Sequence, residues 1–348
     1  MKKIILQSRL HSYSVYMGHT RVFKKLSSVL ATLHLGPHFV VITSAPILKL
    51  HGQTLQSHFP KSSKVDFLLI SDKEKAKSFP AAQKIISRLI ALHAHRKTCL
   101  VAFGGGVIGD ITGFVASIYM RGVDFIAIPT TLLAQVDSSI GGKCGVNTKE
   151  GKNLVGSFYP PRAVFSEISF LKTLPFKHYR SGLAEVIKYA VIDNQKLWNI
   201  LETHHTQILK RAPRLLERII HSCILTKKKF IEHDEHDFSK RQILNFGHTL
   251  GHALEAQCAY RGLTHGEAIA QGMFAATKLS VQKNICQPQS ATHIYSLLKK
   301  YGFQKQALPA NISSYVARDK KRENKTISWI LIKEMGQPRR VSIPQKVF

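Results

Sequence analysis

The segment NFGHTLGHALE (245–255) sets His248 and His252 four residues apart in an apolar run. A helix would carry both imidazoles on one face. Two imidazoles so placed suggest a divalent metal, as in the H-E-x-x-H pattern. That pattern has a Glu directly after its first histidine, where this chain has Thr249. The segment therefore offers metal ligands without a hydrolytic general base. A second candidate lies in LTHGEAIAQGM (263–273), where Thr264 and Glu267 have capping-box spacing and place His265 in the first turn of a helix. Such a histidine can simply face water, but His248 stands only 17 residues upstream in a neighbouring segment of the same apolar type. A third segment, SGLAEVIKYAVI (181–192), places Glu185 and Lys188 at i, i+3 among apolar residues. Such groups are rarely buried unless paired, and taken alone they read as a structural ion pair. One Glu and two His from three helices would also make a three-ligand zinc site, open at a fourth position to water or substrate.

The first half of the chain carries a different chemistry. In AFGGGVIGDITGF (102–114) a glycine run follows a strand pattern and opens a helix. That placement brings backbone close to a phosphate and aims a helix N-terminus at it. The pattern is not G-x-G-x-x-G, and a tight strand-to-helix turn would explain it too. The stretch 128–161, IPTTLLAQVDSSIGGKCGVNTKEGKNLVGSFYPP, is dense in Gly, Ser, Thr, Asn and Lys and reads as one long functional loop. Its Asp137, Lys143, Lys152 and Asn153 would suit a polyhydroxylated anion.

These groups need a scaffold. FVVIT (39–43), VDFLLI (65–70), TCLVAF (98–103) and FIAIP (125–129) read as buried parallel strands, with helical spacing in AAQKIISRLIALHAH (81–95). From about residue 173 helical patterns take over, and strand signals nearly vanish until TISWILIK (326–333). The expected architecture is an α/β, Rossmann-like N-terminal domain, 1–172, followed by a mostly α-helical domain, 173–348.

Composition narrows the partners. With 50 Lys and Arg against 21 Asp and Glu, the net charge is +29. A charge of this size raises the possibility of a nucleic-acid partner. The basic residues are spread along the chain without an arm, zinc-finger spacing or RNP-like aromatics, so the reading is no nucleic acid and some lysines serving an anionic substrate. The five cysteines, Cys99, Cys144, Cys223, Cys258 and Cys286, form no C-x-x-C and favour reduced thiols and a cytoplasmic protein. The N-terminal apolar run breaks at Gln7 and Arg9, unlike a signal peptide, and no stretch reaches the ~20 apolar residues of a membrane span.

Four stretches together, GGGVIGDITGFVASIYMRGVDFIAIPTTLLAQVDSSIGGKCGVNTKEGKNLVGSFYPP, LAEVIKYAVI, RQILNFGHTLGHALE and THGEAIAQGM, resemble the 3-dehydroquinate synthase family of the sugar phosphate cyclases. DKEKAKS (72–78) and RDKKRENK (318–325) match more weakly. The resemblance implies an NAD-binding N-terminal domain and a helical domain holding metal and substrate. It implies a metal, zinc or else cobalt, on Glu185, His248 and His265. His252 would then help hold the substrate phosphate and serve proton transfer. Catalytic roles fall on Lys143, Lys152, Asn153, Arg241 and His252, and substrate contacts on Arg121, Lys188, Lys227, Asn245 and one lysine of the DKK motif, Lys320 or Lys321. NAD contacts fall on Glu74, Lys77, Gly105, Gly106, Asp110, Thr130, Thr131 and Asp137. Cys144 stands where the family commonly has Thr, and Ser44 where it often has Asp or Asn near the NAD ribose.

The implied reaction converts 3-deoxy-D-arabino-heptulosonate 7-phosphate to 3-dehydroquinate in the shikimate pathway of aromatic amino acid synthesis. It runs through transient oxidation by NAD, loss of phosphate, re-reduction and intramolecular aldol closure. The family is commonly homodimeric. Two rival readings are another sugar phosphate cyclase, of the inosose or valiolone synthase type, and a metal-dependent polyol dehydrogenase. The first would not need cations for a substrate carboxylate; the second would not need a phosphate cluster and would accumulate NADH.

Overall fold

The computed structural model describes residues 1–258, 262–309, 311–316, 322–323 and 326–344. The chain divides into two compact units, Met1–Leu174 and Pro175–Phe348.

The first unit is built on a seven-stranded sheet. Its strands are β1 (Lys2–Leu6), β2 (Tyr13–Gly18), β3 (His38–Thr43), β4 (Lys64–Leu69), β5 (Cys99–Gly104), β6 (Phe125–Pro129) and, after a separate hairpin of β7 (Lys143–Val146) and β8 (Val155–Phe158), β9 (Ala163–Glu167). The order across the sheet is β1-β2-β9-β6-β5-β3-β4, parallel except for β1 against β2. Parallel strands covered on both faces need apolar residues at every position. Phe39 and Val41 accordingly pack with Val101, Phe103, Ile126 and Ile128 on one face, and Val40 and Ile42 with Leu100 and Phe125 on the other. The continuous apolar runs in the sequence are this two-sided burial. Helices α1 (Leu26–Thr32), α2 (Ala45–Gln56), α3 (Phe79–Ala91) and α4 (Gly106–Ile118) connect the strands. The chain leaves β3 toward β4 and returns past β3 to β5, so the sheet reverses direction between β3 and β5. Ligands of open α/β sheets bind at the carboxyl ends of strands flanking such a reversal. Here those ends carry Ser44 and the glycine run at 104–106.

The stretch 128–161 is not one loop. It contains a π-helical turn at Ala134–Ser138 and the β7–β8 hairpin. Gly145 pairs with Gly156 there, and a Cβ on Gly156 would lie 2.1 Å from the Cys144 carbonyl oxygen. The glycines that permit this approach also erased the β-branched pattern by which a strand is read. The β1–β2 hairpin and β9 were likewise not expected from sequence; β1 buries only Ile4 and Leu6 beside exposed Lys3 and Ile5.

The second unit is mostly helical: α5 (Phe176–Asp193), α6 (Gln195–Thr203), α7 (His205–Leu209), α8 (Pro213–His233), α9 (His248–Gln257), α10 (His265–Gln282), α11 (Pro288–Lys300) and α12 (Ile312–Val316), with a small antiparallel sheet of β10 (Arg322–Glu323), β11 (Thr326–Ile332) and β12 (Pro338–Pro344). The segment 242–257 is not one helix. A 3₁₀ turn, Lys240–Asn245, precedes α9, and Gly247 at φ +80° separates them. His248 is therefore the first residue of α9. Among the described residues no helix is long and apolar enough to cross a membrane.

Candidate functional site

The geometry of the second unit begins with glycines. A Cβ on Gly266 would lie 2.2 Å from the Ser181 carbonyl oxygen, and a Cβ on Gly272 would lie 1.7 Å from that of Gly247. No other residue permits those approaches, so α10 packs backbone to backbone on α5 and on the start of α9. Ser181 also accepts at Oγ from the Gly266 N–H at 2.9 Å. The two contacts fix His265, next to Gly266, against Glu185, one turn beyond Ser181, and against His248, next to Gly247. The expected capping box forms: Thr264 Oγ1 accepts from the Glu267 N–H, and Glu267 accepts from the Thr264 N–H at 2.8 Å. Such a cap stabilises a helix start by about 1 kcal/mol. Glu267 also pairs with Arg180 of α5, tying the same two helices once more.

Glu185 is fully buried, His248 is buried and His265 half-buried. Glu185 Oε1 lies 3.5 Å from His248 Nε2 and 3.4 Å from His265 Nε2. Hydrogen bonds would draw these atoms to ~2.9 Å. A tetrahedral site with bonds of ~2.1 Å instead separates its ligand atoms by ~3.4 Å. Lys188, itself 1% exposed, forms an ion pair with Glu185 Oε2, while Oε1 faces the two imidazole nitrogens. A buried carboxylate is costly unless cations take its lone pairs, and Lys188 pairs with Oε2 rather than Oε1. One ligand atom from each of Glu185, His248 and His265 falls within 4.8 Å of the others. The donor set, its burial and its spacing fit a divalent metal.

The outer ring nitrogens are also held. His248 Nδ1 lies 3.2 Å from the Phe246 carbonyl oxygen, and His265 Nδ1 lies 3.2 Å from Glu255 Oε2. Burial alone would lower the His265 pKa, but the Glu255 and Glu185 carboxylates outweigh it and push it up to about 10. The His252 ring stands edge-on to His248 with centroids 5.2 Å apart. Glu255 was missed from sequence. Its signal was present: His248, His252 and Glu255 fall at i, i+4 and i+7, one helix face.

In the first unit, the turn after β5 is packed against the segment after β6. A Cβ on Gly105 would meet Thr131 Cγ2 at 3.1 Å, and one on Gly106 would meet Ser138 Oγ at 3.1 Å. Gly105, Gly106, Asp110, Thr130, Thr131 and Asp137 thus share one neighbourhood at the carboxyl edge of the sheet. Glu74 and Lys77 join it to the β7–β8 connection. Lys77, 4% exposed, donates to both Asp110 and Asn153. Glu74 accepts from Asn147 Nδ2 at 2.7 Å and pairs with Lys152 at 3.3 Å. Asn147 Oδ1 accepts from the Asn153 N–H at 3.1 Å, and Asn153 sits at φ +53°. Asn147 was not singled out from sequence, yet it bridges both segments. Ser44 is buried and donates to Asp72 Oδ2 at 3.2 Å, which sets a carboxylate beside it.

The other candidates are placed by several different elements. Lys143 is exposed on β7, its Nζ 6.0 Å from the Phe158 ring centroid. Arg121 is exposed with φ +68°. Lys227 is buried on α8. Arg241 is buried and donates from its guanidinium to the Glu235 carbonyl, while Asn245 is half-buried at the end of the same 3₁₀ turn. Lys320 and Lys321 lie outside the described residues.

Residues 67–181 match the family model for the 3-dehydroquinate synthase N-terminal region, and residues 182–322 the model for its C-terminal region. A 3-dehydroquinate synthase from Dictyoglomus thermophilum is 44% identical over 97% of this chain and 93% of its own length. A 2-deoxy-scyllo-inosose synthase, solved with carbaglucose-6-phosphate, NAD+ and Co2+, superposes with a TM-score of 0.90 at 28% identity, over 99% of this chain and 97% of the other. The 2-epi-5-epi-valiolone synthase of Streptomyces hygroscopicus subsp. jinggangensis, with NAD+ and Zn2+ bound, shares the fold with a TM-score of 0.88 at 23% identity, over 99% of this chain and 96% of the other. With two family models spanning 67–322 and a relative at 44% identity over nearly its whole length, this chain belongs to the 3-dehydroquinate synthase family.

Proposed function

We propose that the chain converts 3-deoxy-D-arabino-heptulosonate 7-phosphate to 3-dehydroquinate and phosphate, a carbon–oxygen lyase with NAD and one divalent metal, zinc or else cobalt, as cofactors. The observation that carries the reading is the buried Glu185 carboxylate with two imidazole nitrogens at 3.4 and 3.5 Å, in a chain of this family. Bound there, a divalent metal acts as a Lewis acid toward a substrate hydroxyl. Bound at the carboxyl edge of the first unit's sheet, NAD supplies a reversible hydride acceptor.

The chain's own residues do the rest. Glu185, His248 and His265 hold the metal, and Lys188 offsets the buried carboxylate charge. Gly105, Gly106, Asp110, Thr130, Thr131, Asp137, Glu74 and Lys77 hold the dinucleotide. Lys152, Asn153, Arg241 and His252 bind the leaving phosphate, and fixed positive charge there lowers the cost of its departure. The leaving phosphate takes the C6 proton of the substrate, and His252 serves that transfer by holding the phosphate and exchanging a proton with it. Arg121, Lys143, Lys188, Lys227, Asn245 and a lysine of the DKK motif hold the sugar acid, with cations for its carboxylate. That demand favours this substrate over the glucose or sedoheptulose phosphates of related cyclases. The family resemblance supports a homodimer.

The test supplies the heptulosonate phosphate with NAD and zinc and follows phosphate and dehydroquinate together. Equal yields support the reading. Turnover of glucose 6-phosphate or sedoheptulose 7-phosphate instead would assign another cyclase activity.

A further inference from the structure

Glu255 is a buried acid, 5% exposed, on a helix whose other polar face residues are histidines. A buried carboxylate needs a reason. Its Oε2 lies 3.2 Å from Nδ1 of His265, and the opposite ring nitrogen, Nε2, lies 3.4 Å from Glu185. Carboxylate, imidazole and prospective metal position therefore stand in sequence across one ring. His248 is arranged in the same way, with its Nδ1 on the Phe246 carbonyl and its Nε2 toward Glu185. With a cation bound beside Glu185, the acceptor at Nδ1 of each ring would select the tautomer whose proton is on Nδ1 and leave the Nε2 lone pair for that cation.

We propose that Glu255 is a positioning residue for the metal centre, orienting His265 and raising its basicity as a ligand through the Nδ1–H···Oε2 hydrogen bond. The inference rests on the metal reading above and deepens it. The two histidines differ in a way that matters. The acceptor for His248 is a neutral carbonyl two residues away on its own chain segment, which no side-chain substitution removes. The acceptor for His265 is a charged side chain carried by a different helix. His265 begins α10 and is half-buried, so its ring is less confined by packing than that of His248. An ionised acceptor there both holds the ring and strengthens its donation to a cation. It also ties α9 to the start of α10 at the centre itself.

Zinc and Co2+ affinities of the whole protein, measured by competition with a chelator, test this without any substrate. Loss of an outer-sphere partner of a metal-bound histidine weakens metal binding roughly 10–100-fold. Glu255→Ala should fall in that range. Glu255→Gln keeps the shape and an acceptor oxygen but not the charge, and should weaken binding by less. Its Co2+ absorption bands should shift relative to wild type. Circular dichroism and the Tm of metal-stripped protein show whether each variant folds. If either folded variant binds both metals within about twofold of wild type with an unchanged Co2+ spectrum, the proposal is wrong. A lowered Tm of the stripped protein with unchanged metal affinity would likewise make Glu255 merely structural. His248→Ala runs beside them: if it too keeps full metal content, the metal reading itself fails; if it alone loses metal, only the role of Glu255 does.

Discussion

His248 Nε2 stands 3.5 Å from Glu185 Oε1, on a fully buried carboxylate whose other oxygen pairs with Lys188. A divalent cation between the two would be held by both, together with His265. His248→Ala should abolish stoichiometric zinc binding and activity together. His252→Ala should keep zinc while slowing phosphate release, because His252 is assigned to the phosphate. Metal analysis of both purified variants checks this, and zinc lost from the His252 variant would make that residue a ligand.

The close approach of α10 to α9 predicts that Gly272→Ala damages the site from a distance. Its Cβ would stand 1.7 Å from the Gly247 carbonyl, directly before His248. Overpacking of a rigid backbone contact typically costs ~1–3 kcal/mol, and this one should reach the upper end. We expect a lowered denaturation midpoint and weakened zinc affinity together. Unchanged values of both would show that the helices are free to separate.

Lys77 donates to Asp110 and Asn153, one residue assigned to the dinucleotide and one to the phosphate. Lys77→Met should therefore weaken NAD binding and raise KM for the phosphorylated substrate in the same variant. Each effect should be roughly tenfold or more, since a buried charged hydrogen-bonding partner is lost. Asn153→Ala should raise KM with little effect on NAD. Calorimetric NAD titration of both variants separates the two.

Asp234 accepts backbone N–H groups from Phe238 at 3.0 Å, Ser239 at 2.7 Å and Arg241 at 3.0 Å. Burial alone would raise its pKa, but these bonds outweigh it and hold the carboxyl below its ordinary value. A group depressed on folding contributes stability above its unfolded pKa, and that contribution is lost as pH falls through the folded value. Asp234→Ala should thus cost about 1–2 kcal/mol near neutral pH. The gap from wild type should close as the solution is acidified below the ordinary carboxylate range. A gap independent of pH would show that packing, not charge, is what the substitution removes.

The sequence made some parts of this legible and hid others for physical reasons. The central strands could be read because parallel strands buried on both faces demand unbroken apolar runs, as in FVVIT around Val40 and Val41. The capping box could be read because Thr264 and Glu267 meet locally. The β7–β8 hairpin could not, because Gly145 and Gly156 trade side chains for close approach. The break at Gly247 was hidden too, since its apolar neighbours keep helical spacing across it. Glu255 shares a helix face with both histidines of α9, but its partner His265 belongs to another helix, and only packing brings them together. The same holds for Asn147 and Glu74, 73 residues apart in sequence and 2.7 Å apart in space.

NAD should be required and returned in each turnover, and a single time course tests this. Enzyme is supplied with zinc, NAD equal to its own concentration and a large excess of the heptulosonate phosphate, while released phosphate and absorbance of reduced nicotinamide are followed together. Many phosphates should be released per NAD with no lasting rise in NADH. One NADH accumulating for each product formed would contradict it and make the chain a dehydrogenase.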